Sequence, residues 1–366
     1  MQFTTAEIMG GLGNQLFQIF ALLAYSLKYK LPFYFSAEPI QHGPRKRTYW
    51  DTPLLRTLKP FVKSAPSTHA SILGEQGFHY QPIPFYQREH VKLFGYFQSY
   101  KYFQEQQAVI YRLLKLQQTQ ADIKSKTEAQ NQNQYTKTLA MHFRVGDYVT
   151  LPNHHPLMTL EYYIKALTKF CQDTSQQRDT SQQRDTSPAL CETLEQAQEK
   201  QAQAEQKQAE QKQAWHILYF CEQNDQSYVE NQFIQKLQAQ PQLQCKFTFQ
   251  CIDHTLTDWE QMIVMSLCQH HIIANSTFSW WGAYLGLGGC PPTTPTTSAS
   301  TQTHPEGRDD KTITPTQTHR RGGELTLKGG VGAGHHVYYP STWFGPAMGY
   351  KNMADLFPPH WQKISV

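Results

Sequence analysis

The chain has 366 residues, of which 39% are hydrophobic and 17% charged, and its formal net charge is +4. Low apolar and low charged fractions leave the balance to neutral polar residues, so part of the chain must be Gln-, Thr- or Ser-rich and unable to form a core. This composition excludes a membrane protein, a collagen-like chain, a wholly disordered chain and a disulfide miniprotein, and the small charge argues against a nucleic-acid partner.

The cysteines and the apolar runs bear on the cellular compartment. The seven cysteines are odd in number, lack a CxxC pair and mostly lie in apolar runs, which indicates reduced thiols. The longest apolar stretch, residues 16–27, is too short to span a bilayer and follows no cationic segment, so it predicts neither an anchor nor a signal peptide. We expect a cytoplasmic protein, and peripheral association with the inner face of a membrane stays open.

The first part of the chain begins as a strand, a glycine-rich loop, a helix and a second strand. These predicted elements are Thr4–Met9, Asn14–Tyr29 and Leu31–Phe35. Residues 39–99 are irregular and rich in proline and aromatics, and a helical period returns over Phe103–Leu116. Residues 117–136, rich in Gln, Asn, Thr and Lys, are predicted to be a linker between an N-terminal domain, 1–116, and a C-terminal domain, 137–366.

Beyond the linker, strands alternate with helices. The predicted strands are Thr138–Phe143, His216–Cys221, Cys245–Ile252 and His271–Ala274. The predicted helices are Thr159–Phe170, Ser227–Gln238, Asp258–His270 and Thr277–Leu285. This alternation predicts a parallel, doubly wound sheet that binds ligands at the C-terminal ends of its strands. Two low-complexity inserts, at about 172–214 and 291–334, interrupt the domain and offer no apolar stripe to bury.

A glycine-rich motif at residues 10–15 (Gly-Gly-Leu-Gly-Asn-Gln) joins the first strand to the first helix. Its glycines permit a tight turn, and the helix N-terminus favours an anion or a sugar hydroxyl. The motif departs from a dinucleotide fingerprint because Leu16 stands where the third glycine is expected. By itself it fits a tight turn as well as it fits a ligand-binding loop.

A second motif, residues 142–148 (His-Phe-Arg-Val-Gly-Asp-Tyr), lies at the end of the first strand of the C-terminal domain. Strand alternation puts His142 and Arg144 on one face, opposite Phe143. Arg144 then stands where a doubly wound sheet binds phosphate, and a guanidinium can bind two phosphate oxygens at once. A structural ion pair between Arg144 and Asp147 is the alternative.

A third motif, residues 275–281 (Asn-Ser-Thr-Phe-Ser-Trp-Trp), follows the fourth predicted strand of that domain. Ser276 or Thr277 is a natural N-cap, and the hydroxyls and N–H groups of this first turn can hold a phosphate. The alternative is an ordinary capped helix with Trp280 and Trp281 in the core.

Metal chemistry has little support in the sequence. The sixteen histidines show no zinc-like spacing, and no Asp-x-Asp occurs to hold a divalent metal on a diphosphate. Arg144 and a helix N-terminus must then neutralise any bound diphosphate. Glu222 follows a predicted strand and falls on the same binding edge, where a solvated loop carboxylate is the alternative.

Together and in this order, the motifs resemble the α-1,2-fucosyltransferase family, the inverting, GDP-fucose-dependent glycosyltransferase family 11, in its bacterial type. The resemblance includes residues 94–98 (Phe-Gly-Tyr-Phe-Gln) and 220–222 (Phe-Cys-Glu), and it covers most of the chain outside the inserts. The family commonly carries a second arginine where Val145 stands, which leaves diphosphate binding to Arg144. The inserts are not family features.

The resemblance implies an α/β, GT-B-like fold of two Rossmann-type domains with a cleft between them, the first facing the acceptor and the second binding GDP-fucose. It implies transfer of fucose, with inversion and without a metal or cofactor, to the 2-hydroxyl of a β-galactoside. The predicted catalytic residues are Arg144, Asp147 and Asn14. The predicted donor-binding residues are His142, Arg144, Asn275, Ser276, Thr277, Ser279, Gly11 and Gly13.

Within this scheme, Arg144 stabilises the departing GDP, and Asn14 lies near the acceptor hydroxyl. Asp147 is the predicted general base, with orientation of Arg144 as its alternative role. Three other functions stay open. They are a fucosyltransferase of another linkage, a nicotinamide-dependent Rossmann oxidoreductase and a non-catalytic glycan-binding protein.

Overall fold

The computed structural model describes residues 2–38, 40, 47–64, 70–87, 90–131, 135, 137–182, 214–241, 243, 247–286 and 335–366. Most of both predicted inserts lies outside these residues. The described part is a mixed α/β protein with parallel sheets, so the predicted fold class is confirmed at that level. None of the helices in these ranges combines the length and apolarity that a bilayer span requires.

The N-terminal part is built from short parallel strands and one long apolar helix, α1 (Leu12–Tyr29). Its strands are β1 (Phe3–Ala6), β2 (Phe35–Ser36), β3 (Val62–Lys63), β4 (Ser71–Gly74) and β5 (His90–Phe94). They pair in the order β1-β5-β4, with β2 on β3, and Phe33 bridges to Thr4 beside β1. The predicted opening of strand, loop, helix and strand is confirmed, whereas β3 and β4 were too short to emerge from the irregular region.

The segment predicted to be a linker, residues 117–136, forms a packed helix over most of its length. It follows α2 (Gln107–Leu113) as α3 (Leu116–Asn131). Lys126 of α3 pairs with Glu260 at 2.7 Å, and Gln120 donates to the Ser266 hydroxyl at 3.0 Å. Because these contacts are polar and the helix has few apolar residues, hydrophobic periodicity did not predict it.

The larger sheet holds six parallel strands. They are β6 (Thr138–His142), β7 (Trp215–Phe220), β8 (Phe247–Cys251), β9 (His270–Ile272), β10 (Val337–Pro340) and β11 (Gln362–Ile364). Their spatial order is β8-β7-β6-β9-β10-β11, which is the 3-2-1-4-5-6 order of doubly wound nucleotide-binding sheets. The predicted parallel sheet is confirmed, and the order reverses between β6 and β9.

Helices cover both faces of this sheet. They are α4 (Leu160–Gln182), α5 (residues 226–238), α6 (Asp258–Leu267) and α7 (Thr277–Tyr284). In α5 the π-helical segment Glu230–Ile234 separates two α-helical turns. Helices α4 and α5 pack on one face, where the Phe143 ring lies 4.4 Å from that of Tyr163 and 5.1 Å from that of Phe233. Helices α6 and α7 pack on the other face together with α1.

Helix α4 continues past its predicted end at Phe170 into the region predicted as an insert from residue 172. There Asp173 accepts a hydrogen bond of 2.7 Å from the hydroxyl of Tyr338 in β10. The start of this insert is therefore corrected to a later residue, because the polar repeat continues the helix and Asp173 belongs to the packed part of the protein.

Aromatic rings join α1 to α7. The Phe17 ring lies 4.5 Å from that of Trp280, and the Phe20 ring lies 4.5 Å from that of Trp281. Both tryptophans are fully buried, as the capped-helix alternative predicted. Because this hydrophobic cluster runs unbroken from α1 to α7 among the described residues, the division into two domains with a cleft stays a prediction.

Candidate functional site

The second and third motifs meet where the strand order of the larger sheet reverses. Strand β6 ends at His142 and β9 ends at Ile272, and these two strands are neighbours with Met141 opposite Ile272. In doubly wound sheets the crevice that receives a ligand opens at this switch point, outside the C-terminal ends of the strands. The fold therefore brings both motifs to the edge where the sequence placed them.

Arg144 lies two residues beyond β6 and forms the charged centre of this edge. One terminal nitrogen of its guanidinium pairs with Asp147 and the other with Glu222, which follows β7. The Arg144 side chain is only 14% exposed, whereas both carboxylates are about half exposed. Its guanidinium carbon also lies 5.0 Å from the centre of the Tyr148 ring. Arg144 is thus held in one orientation, as a preorganised anion-binding group must be.

Negative charge surrounds this arginine. Asp147 and Glu222 together outweigh its single positive charge, and a third carboxylate, Asp225, accepts the backbone N–H of Gly146 at 2.8 Å. The ion-pair alternative for Arg144 and Asp147 is therefore seen in the structure. A diphosphate can bind this guanidinium only by displacing at least one of the two carboxylates.

His142 lies beneath Arg144 as a neutral group. Its side chain is buried, with its ring 5.6 Å from the Phe278 ring at the start of α7. Burial, and secondly the charge of Arg144, lower the pKa of His142 to about 3. Its Nδ1 has no hydrogen-bond partner within the described residues. A neutral imidazole can exchange a hydrogen bond with a ligand but supplies no positive charge to a phosphate.

The polar side chains at the start of α7 are largely occupied by the protein. Ser276 caps the helix by accepting the N–H of Phe278 at 3.3 Å. Asn275, 1% exposed, donates to the carbonyls of Pro156 and Trp343, and Ser279, 0% exposed, donates to backbone carbonyls. Of the predicted donor-binding groups in this motif, Thr277 is the most accessible.

Asn14, at the start of α1, contacts the beginning of α7. Its carboxamide oxygen accepts hydrogen bonds from the Thr277 hydroxyl at 2.9 Å and from Gln98 at 3.0 Å. The first and third motifs, separated by more than 250 residues, thus meet at one point. Gln98 belongs to the aromatic motif at 94–98, but no local pattern indicated that it touches Asn14.

The glycines of the first motif serve the fold. Gly10 has a φ of +76°, which favours glycine, and Gly11 is the N-cap of α1. A Cβ on Gly13 would lie 2.5 Å from the backbone carbonyl carbon of Thr277, so Gly13 allows α1 to approach α7. The tight-turn alternative accounts for Gly10, and close helix packing accounts for Gly13; a donor contact of Gly11 or Gly13 stays a prediction.

A separate cavity of about 40 Å³ lies beside α1. Its lining includes Tyr25, Tyr29, Tyr80, Tyr102, Lys28 and Lys101. None of the predicted site residues lines it, so it lies apart from the predicted site.

Comparison with known proteins bears on the C-terminal part most directly. Residues 237–312 match the family model described as Glycosyl transferase family 11. This match supports the predicted resemblance over 76 of the 366 residues. The sugar, the linkage and the acceptor stay predictions.

The chain is similar to the O-antigen biosynthesis glycosyltransferase WbnK of Escherichia coli, with 27% identity over 151 residues. The match covers 40% of this chain and 34% of WbnK, so the chain spans about a third of the length of that curated relative. A solved structure of a mutant of Arabidopsis thaliana FUT1 in complex with GDP has 12% identity and a TM-score of 0.38, over 79% of this chain and 69% of that one.

Proposed function

We propose that this protein is a member of glycosyl transferase family 11 and a galactoside 2-α-L-fucosyltransferase, which transfers fucose from GDP-fucose to the 2-hydroxyl of a β-galactoside with inversion. The observation that carries the proposal is the position of Arg144 at the switch point of a 3-2-1-4-5-6 sheet. The family match supports the class of reaction. A cytosolic location, at or near a membrane that holds glycolipid acceptors, belongs to the same proposal.

In this mechanism Arg144 binds the diphosphate of GDP-fucose. Breaking the bond between fucose and phosphate leaves an oxocarbenium-like sugar and places negative charge on GDP. A preorganised guanidinium that is largely shielded from water stabilises that charge more than an exposed one does. The Tyr148 ring and the two carboxylates keep the guanidinium at this edge before the donor arrives.

Asp147 is the proposed general base. Its carboxylate is paired with Arg144, so it orients the arginine. When the diphosphate takes the guanidinium, the carboxylate is released and can accept the proton of the attacking hydroxyl. Asp147→Asn tests this step: a base predicts loss of the acidic limb of the pH–rate profile, whereas a purely orienting role predicts weaker GDP binding with that limb unchanged.

Asn14 is proposed to orient the acceptor. Its carboxamide oxygen already accepts two hydrogen bonds, from Thr277 and Gln98, which leaves its NH2 group for the substrate. Asn14 would then donate to the acceptor hydroxyl oxygen and would not remove its proton. Asn14→Asp keeps the size of the side chain, and we expect it to raise the KM for the acceptor more than the KM for GDP-fucose.

The direct test is to incubate the chain with GDP-fucose and lactose or N-acetyllactosamine and to determine the linkage of the product. Fucose on the 2-hydroxyl of galactose supports the proposal. Fucose at another position would show a transferase of another linkage, and lactose binding without GDP release would show a glycan-binding protein. Thermal stabilisation by NAD but not by GDP would indicate an oxidoreductase.

A further inference from the structure

Three side chains that bind soft metals lie together at the end of two neighbouring strands. Cys221 follows β7 directly, Cys251 is the last residue of β8, and His254 lies in the turn after β8. Strands β7 and β8 are parallel partners with Tyr219 opposite Cys251, so both thiols emerge at the same sheet edge. The two sulfur atoms and one ring nitrogen of His254 all lie within 4.8 Å of one another.

The spacing within this cluster is close to that of a tetrahedral zinc site. The Sγ of Cys251 lies 3.5 Å from the Nε2 of His254. A zinc ion with Zn–S of about 2.3 Å and Zn–N of about 2.0–2.1 Å places sulfur and nitrogen about 3.6 Å apart in a tetrahedron. We propose that Cys221, Cys251 and His254 form a binding site for a soft divalent cation, with zinc as its natural occupant.

The surroundings suit a cation bound by thiolates. Cys221 is buried, whereas Cys251 and His254 are partly exposed, so the site is closed on the core side and open at the sheet edge. Glu230 accepts a hydrogen bond from the Tyr219 hydroxyl at 3.0 Å, next to the thiols.

Three protein ligands leave the fourth tetrahedral position for water. Sequence spacing did not reveal the set, because only Cys251 and His254 are close in the chain and Cys221 comes from a different strand. The site is separate from the proposed transfer chemistry, in which Arg144 neutralises the diphosphate. Its connection to that site is structural, since Cys221 directly precedes Glu222, the partner of Arg144.

The test measures metal binding by the reduced, untagged chain after chelation and zinc titration. For this titration the protein is prepared with the substitutions Cys191→Ser, Cys245→Ser and Cys290→Ser, which remove the cysteines outside the described residues. We expect one zinc per chain, and Cys251→Ser or His254→Gln should weaken binding by at least about 10-fold, since changes even to groups around metal ligands cost 10- to 100-fold. Cys171→Ser, a thiol change in α4 outside the cluster, should leave the affinity unchanged.

A second measurement needs no substitution and so does not depend on variants that fold. Zinc should slow alkylation of Cys251 in the wild-type chain, read by mass spectrometry of its peptides, and should leave the alkylation of Cys171 unaffected. Cobalt should give the thiolate-to-metal charge-transfer absorption. Absence of zinc binding, equal binding by Cys251→Ser, or unprotected Cys251 at saturating zinc would overturn the proposal.

Discussion

Gly13→Ala separates the two roles that the glycine-rich motif can have. If Gly13 belongs to a ligand loop, an added methyl group should weaken GDP binding and leave the folded protein intact. If Gly13 serves the contact between α1 and α7, the methyl group should destabilise the fold. The structure favours the second outcome because the added Cβ faces the backbone of Thr277.

The expected cost follows from the distances. The new Cβ would lie 2.5 Å from the Thr277 carbonyl carbon, 2.6 Å from its oxygen and 2.7 Å from its hydroxyl. Ordinary contact begins near 3.4 Å, so α1 and α7 would have to separate by about 0.9 Å. Overpacking of a core costs about 1–3 kcal/mol, and the upper end applies because backbone cannot rotate away. The helix preference of alanine over glycine, about 1 kcal/mol at most, opposes this cost.

We therefore expect a net loss of about 2 kcal/mol in the free energy of unfolding, measured by urea denaturation. Gly74→Ala is the matched control, because a Cβ there would meet nothing closer than 3.9 Å. Unchanged stability of Gly13→Ala together with reduced GDP affinity would refute the packing role and restore Gly13 to the donor site.

Three further results are expected. The free energy of unfolding should fall as the pH drops below about 6.5, by up to about 1.4 kcal/mol per pH unit for each of three buried histidines, because they take up protons only in the unfolded chain. These histidines, with pKa values lowered mainly by burial to about 3, 3 and 4, are His142, His270 and His271. Urea unfolding across this range checks the slope, and a flat profile would contradict it. Glu222→Gln should tighten GDP binding by up to about 10-fold, measured by calorimetry. At an effective dielectric of 20, a carboxylate about 5 Å from a phosphate repels it by about 3 kcal/mol, and solvent screening of a half-exposed group reduces this repulsion. Weaker binding by the variant would mean that Glu222 mainly positions Arg144. Asp173→Ala should lower the free energy of unfolding in urea by about 1–3 kcal/mol, because the buried Tyr338 hydroxyl loses its acceptor. The control Glu161→Ala removes an exposed carboxylate of the same helix and should change this free energy little. Equal effects of the two substitutions would argue against this hydrogen bond.

The larger sheet could be predicted from the sequence because its strands are apolar runs that alternate with helices. Period and alternation placed β6 to β9 within a few residues of their observed bounds. The order of the strands depends on pairing between distant segments, which no local pattern contains. Strand β11, three residues long, and helix α3, which has few apolar residues, gave no periodic signal.

Only part of the candidate site could be predicted from the sequence, because the rest depends on contacts between distant segments. Arg144 follows a strand with clear alternation, so its place at the sheet edge could be predicted. Whether a polar side chain faces the ligand or the backbone depends on tertiary contacts, and Asn275 and Ser279 turned out to bond to carbonyls. The contact of Asn14 with Thr277 joins two distant segments of the chain, and the local sequence did not predict it either.

The most direct test of the central claim is the turnover of Arg144→Ala with GDP-fucose and lactose. Its partners Asp147 and Glu222 are half exposed, so the variant should fold, and Arg112→Ala provides an exposed arginine as control. If Arg144 stabilises the departing GDP, kcat should fall by about 10²–10³, as it does when one such donor is removed from an oxyanion site, while the control keeps wild-type activity. Near-normal turnover by Arg144→Ala would contradict the account.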